Sequence, residues 1–168
     1  MTIGWNMEYG IRVADEVWIA VATLHRRHPD RADFAISEIM AQAEAANVTG
    51  IKPLRPGVKV HAYLHCVANK PPNPGRYRML FETVGGRRRL VRPGDLCHPL
   101  RAAGKGTPKR HEIPVGYRDL IDWYVREYAV GSPDDAEDPV LLLRGLGEEI
   151  WADENADAYV RRQRSGWR

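Results

Sequence analysis

With 168 residues, the chain has room for one domain of ordinary size plus an appendage, and two full domains are not expected. Its 43% hydrophobic and 28% charged residues fit a chain that can bury a core, and the longest apolar stretch, residues 17–24, falls far short of the roughly 20 residues of a membrane span. The formal net charge of +3 conceals a division: residues 52–118 carry 15 cations against three acids, whereas residues 127–157 carry 10 acids against Arg144 alone, so the first segment suits a phosphate backbone and the second does not.

Residues 1–12 lack the basic-then-apolar pattern of a signal peptide, and the expected setting is the cytoplasm. Ala14, Val17, Trp18, Val21 and Leu24 recur at spacings of three and four, which predicts a helix over about residues 9–27, stopped by Pro29. Phe34, Ala35 and Ile36 are too few for a helix and predict a short strand. Ser37 then offers a hydroxyl cap to a second helix whose Ile39, Met40 and Ala43 face inward.

Gly50, Pro53 and Pro56 mark a turn over residues 47–56, after which Val60, Leu64 and Val67 predict the buried face of a third helix, about residues 57–68. Lys59, Tyr63, Cys66 and Lys70 then fall on its outward stripe, although the Tyr63 ring could equally pack at the helix edge. Pro71, Pro72, Pro74 and Gly75 end it. Residues 76–83 and 87–92 predict a hairpin turned by Gly85-Gly86, its returning strand carrying Arg87, Arg88 and Arg89 on alternating faces.

A proline- and glycine-punctuated stretch leads to Pro114, and Leu120, Ile121, Trp123, Tyr124, Val125 and Tyr128 predict a last helix over about residues 117–128. It would close the core against the first helix or form the seam of a homodimer. Gly131-Ser132-Pro133 and the acids after it read as a linker, residues 131–139, between a domain of residues 1–130 and a tail of residues 140–168.

Helix, short strand, helix, turn, helix, two-stranded hairpin is an order that resembles the winged helix-turn-helix fold, an α+β architecture, here with an added helix and an extended tail. The pairing of His65-Cys66-Val67-Ala68-Asn69 with Arg92-Pro93-Gly94-Asp95 is similar to that of an uncharacterised family of bacterial winged-helix DNA-binding proteins, over about residues 10–128. The resemblance implies double-stranded DNA as a partner, with the third helix in the major groove and the hairpin against the backbone. Arg55, Lys59, Tyr63 and Lys70 would then face the groove, and Arg76, Arg78, Arg87, Arg88 and Arg89 the phosphates. RNA stays open as an alternative, since a basic surface reads phosphate of either kind.

The tail, from Asp138-Pro139-Val140-Leu141-Leu142-Leu143-Arg144-Gly145-Leu146-Gly147 through Ile150-Trp151 to Tyr159-Val160-Arg161-Arg162 and Trp167, resembles that of antitoxins that neutralise PIN-domain ribonuclease toxins. It implies a toxin partner held by Leu143, Arg144, Leu146, Ile150, Trp151, Tyr159 and Trp167, with Arg144 reaching the carboxylates of the toxin's metal site. Two alternatives remain: a tail that docks on its own domain, and a DNA-binding accessory module of a defence or restriction system.

Neither catalysis nor a cofactor is expected. Gly104-Lys105-Gly106-Thr107 lacks the earlier glycine of a phosphate-binding loop. His61, His65 and Cys66, with Cys97-His98 beyond, lack a further carboxylate or cysteine at metal-ligand spacing, and no serine or cysteine has a base placed beside it. The two cysteines are expected to be reduced.

Overall fold

In a computed structural model, α1 (Val13–Arg27) is the axis on which the other elements pack. Residues 10–130 and Arg164 are described, and the chain divides into one unit, Met1–Ala129, and a second, Val130–Arg168. The predicted stripe of α1 is buried as expected, but Ile19, Ala20 and Ala22 on its other flanks are buried too. A helix apolar nearly all round has to sit inside its domain.

Asp15 and Glu16 are also buried, in the first turn of α1, where the helix dipole favours carboxylates. Each has a cationic partner: the Lys105 ammonium lies 2.7 Å from Asp15, and the Arg55 guanidinium donates to Glu16. Loss of hydration still holds the Asp15 carboxyl above its usual range, partly offset by Lys105.

The predicted strand at residues 34–36 shrinks to one residue, because Ile36 already opens α2 (Ile36–Ala46). Phe34 exchanges both backbone hydrogen bonds with Arg88 at 2.8 Å. Ala35, not Ser37, occupies the cap position of α2, and the Glu38 carboxylate reaches back to accept from the Ala35 N–H at 2.8 Å. Arg31 and that N–H together hold the Glu38 carboxyl down to about 2.

Helix α3 (Pro56–Val60) runs on into a wider π-helical turn, His61–His65. Strands β1 (Leu80–Glu82) and β2 (Arg88–Leu90) pair antiparallel, Leu80 opposite Leu90 and Glu82 opposite Arg88. That register sets Thr83 against Arg87, leaving Val84, Gly85 and Gly86 as a three-residue turn in place of the expected two. Both glycines lie at positive φ, 74° and 73°, which a side chain would resist. The strands are shorter than predicted, since Arg78 spends its N–H on Lys105 across the loop.

Helix α4 (Asp119–Trp123) extends as a second π turn, Tyr124–Tyr128, and stacks an aromatic run onto α1, with Trp18 edge-on to Tyr124. The described residues are thus α+β, four helices and a two-stranded sheet. Among them no helix is long and apolar enough to cross a membrane.

Deep in this core, His25 packs between Phe34 and Tyr128, ring centroids 4.9 and 4.7 Å away, and its Nε2 accepts from the Leu90 N–H at 3.4 Å. Burial, reinforced by Arg92 and Arg89, pushes its pKa down to about 3. Above 6.5 the imidazole is neutral whether the chain is folded or not. Below 6.5 the unfolded chain takes up a proton that the folded one refuses, so stability falls as pH drops toward about 3. A His25→Gln variant keeps an acceptor but cannot titrate; its denaturation midpoint should change less than that of the parent between pH 6.5 and about 5. Identical slopes for the two proteins would place the acid sensitivity elsewhere.

Candidate nucleic-acid interface

Helix α3 is fixed at both ends by arginines. Pro56 supplies a preset backbone angle at its first position, and Arg55 just before it donates to Glu16 at 3.1 Å and to the Ile11 carbonyl at 3.3 Å. At the other end, a helix leaves its last four carbonyls without intrahelical donors. Here these belong to Ala62, Tyr63, Leu64 and His65, and two buried guanidinium groups meet them. Arg88 donates to Ala62 (3.1 Å) and Tyr63 (3.2 Å), and Arg101 to Leu64 (3.0 Å) and His65 (2.7 Å).

Arg101 is fully buried and places each of its five N–H groups on a carbonyl, the remaining three being those of Lys70, Tyr77 and Pro71. Arg88, 1% exposed, also donates to Gly86 and Arg87 and has Glu82 at 3.4 Å. Burial lowers the pKa of both guanidinium groups, though not enough to discharge them.

Between these fixed ends α3 is rotated from the expected setting. Val58, Ala62 and Cys66 point inward with Val67, while Val60, expected in the core, is 46% exposed. The anchor of Arg55 on Glu16 sets the rotation, and the π turn keeps Ala62 and Cys66 on the same side. Cys66, expected outside, is fully buried, which pushes its thiol pKa up. Lys59 and Tyr63 do face outward, Tyr63 at 56% exposure. Lys70 lies 4.6 Å from the Tyr63 ring centre and is paired with Glu82 at 2.6 Å.

The arginine run is largely committed within the molecule. Arg88 is the plainest correction, a helix cap where a phosphate contact was expected. Arg87 binds Asp33 and Glu38 and, with the Thr83 hydroxyl on Asp33, ties the hairpin turn to the start of α2. Arg89 grips Asp95 with two bonds of 2.7 Å and lies over the Phe81 ring. Arg55 is likewise held by Glu16. Of the nine residues expected to face DNA, Lys59, Tyr63 and Arg76 are exposed, and Arg78 is half-buried with its Nε on the Gly104 carbonyl.

Arg92 and Lys109, like Lys52 and Arg118, were not among the residues expected to contact DNA and have no carboxylate partner among the described residues; membership of the basic segment was their sequence signal. Residues 10–130 hold 20 cations and 12 acids, a net +8 that the internal pairs redistribute but do not remove. No group of three side chains suited to holding a metal occurs among the described residues. Leu143, Arg144, Leu146, Ile150, Trp151, Tyr159 and Trp167 lie outside the described residues.

The internal role of Arg101 has a measurable consequence. Arg101→Met removes five donors from buried carbonyls and should cost about 3 kcal/mol or more in urea denaturation, whereas Arg76→Ala at the surface should stay within about 0.5 kcal/mol. Comparable losses for the two would contradict the assignment.

No protein-family model matches this chain, and neither the curated proteins nor the solved structures hold a significant match to it.

Proposed function

We propose that the chain is a DNA-binding transcriptional regulator of the winged helix-turn-helix type, acting as the antitoxin of a toxin–antitoxin pair. The observation that carries the DNA reading is the outer face of α3: Lys59 and Tyr63 project from a helix whose two ends are anchored by Arg55, Arg88 and Arg101. The order of helix, bridging strand, two helices and hairpin agrees with that fold. Lys59 would reach base edges, Tyr63 would pack on the groove wall, and Arg76 would neutralise phosphate. Since Arg87, Arg88 and Arg89 hold internal partners, the wing would contribute shape more than charge.

Affinity for duplex DNA should fall with salt along a log–log line of slope about −0.9 per phosphate neutralised. Lys59→Ala should weaken binding to a selected site more than to random duplex, whereas Arg76→Ala should weaken both alike. A flat salt response, or no duplex binding at low salt, would contradict the DNA reading.

The antitoxin reading rests on the tail sequence, where large apolar side chains follow an acidic, proline-broken segment. A chain ending at Ser132 should melt close to the full-length protein and still bind DNA, yet fail to co-purify with a PIN-domain ribonuclease that the full chain captures. Trp151→Ala should cost about 2 kcal/mol of that affinity. Arg144→Ala should leave the complex assembled but the ribonuclease active. If the shortened chain melts many degrees lower and the full chain captures no ribonuclease, the tail serves its own domain instead.

A further inference from the structure

At the base of the hairpin, at the end away from its glycine turn, lies a cleft of about 510 Å³. Arg78 enters it from before β1, Arg92 from after β2, and Lys109 from the loop that follows Gly104. We propose that this cleft binds a phosphate group, in a site separate from the outer face of α3.

The charge balance of the lining supports an anionic occupant. Its one carboxylate, Asp95, is used up, accepting two bonds from Arg89 and one from the Arg92 N–H at 2.6 Å. These bonds hold the Asp95 carboxyl below its usual range despite burial. Lys105 is likewise spent, bridging Asp15 at 2.7 Å and Glu112 at 2.5 Å. Arg78, Arg92 and Lys109 are left with no carboxylate partner among the described residues.

The two arginines are also held in place. The Arg92 guanidinium lies over the Tyr128 ring, 4.5 Å from its centre, and its Nε is buried with no hydrogen-bond partner among the described residues. Arg78 is oriented by its Nε bond to Gly104 at 2.8 Å, which leaves its terminal nitrogens to donate elsewhere. The loop below them is pressed against the chain before β1: a Cβ on Gly104 would fall 1.7 Å from the Arg76 carbonyl oxygen, so glycine is required there. Two oriented guanidinium forks and one ammonium are the donors a phosphate takes up by charge-assisted hydrogen bonds. The volume admits the phosphate together with the sugar or nucleoside it esterifies.

Cys97 lines the same cleft and is partly accessible, whereas Cys66 is fully buried, so the rate of Cys97 alkylation reports on this site alone. Inorganic phosphate and thymidine monophosphate, added separately to the full chain at low salt, should slow that alkylation saturably, while the same concentration of chloride should not. Lys109→Ala should weaken the protection about tenfold, Lys109→Arg should retain it, and Lys59→Ala should leave it unchanged. Thermal melting of the Lys109 variants should match the parent, since that side chain is exposed. Absence of saturable protection, or equal loss in Lys59→Ala and Lys109→Ala, would overturn the proposal. A short duplex distinguishes the sources. If Lys109→Ala weakens duplex and monophosphate binding together, the phosphate is that of nucleic acid; if only the monophosphate is affected, it is a free phosphorylated compound. Protection by phosphate in a protein that binds no duplex would leave the cleft standing and remove the DNA reading.

Discussion

The end of α3 depends on two buried cations that meet no fully buried acid. A guanidinium withdrawn from water loses hydration worth several kcal/mol, and a carboxylate is the usual means of recovering it. Arg101 recovers it from backbone alone, five donors on five carbonyls. Those carbonyls belong to the last turn of α3 and to the proline-rich stretch after it, where Pro71, Pro72 and Pro74 lack the N–H groups that regular structure would use. Buried carbonyls in such a stretch need donors from somewhere. One arginine supplies them, and in doing so fixes where α3 stops and how the chain returns to β1.

A second set of constraints comes from the first turn of α1. Asp15 and Glu16 sit in a helix otherwise packed with apolar side chains, and each draws a cation from a distant part of the chain, Lys105 and Arg55. The start of α3 and the basic loop under the hairpin are therefore both registered against one turn of one helix. Removing either cation would leave an uncompensated buried carboxylate, which costs more than the pair itself contributes.

These pairings explain what was and was not legible in the sequence. Helical periodicity revealed α1 and α2 because their apolar positions repeat over several turns, and the dense run of apolar and aromatic side chains from Leu120 to Tyr128 marked α4 and its π turn. On α3 periodicity found the helix but not its buried face, because the rotation is set by a tertiary ion pair rather than by Val60 and Leu64. The hairpin was legible from Gly85-Gly86, but its turn length depends on the Glu82 to Arg88 register, which local sequence does not determine. The cation count over residues 52–118 overstated the free positive charge because Asp15, Glu16, Asp33, Glu38 and Asp122, all outside that segment, fold back onto it. Adjacent positions in the run Arg87-Arg88-Arg89 look equivalent in sequence. The alternation of the strand turns Arg88 inward to the buried end of α3, opposite to its neighbours, while tertiary acids divide the other two, Arg87 to Asp33 and Glu38 near α2 and Arg89 to Asp95.

Committing so many arginines internally also shapes what the remaining cations can do. A helix held at both ends presents Lys59 and Tyr63 without first having to order its backbone, so more of any contact energy is available to discriminate between ligands. The same holds at the hairpin base, where Tyr128 and Gly104 orient Arg92 and Arg78 before any ligand arrives. The two surfaces share a scaffold but little chemistry. The α3 face offers an aromatic ring and a flexible ammonium on a convex helix, suited to an extended surface. The cleft offers planar donors in a concavity, suited to a compact anion. Charge alone would have assigned both to one basic patch; geometry separates them, because neither Lys59 nor Tyr63 lines the cleft, whose cations come from the two ends of the hairpin base and the loop after Gly104.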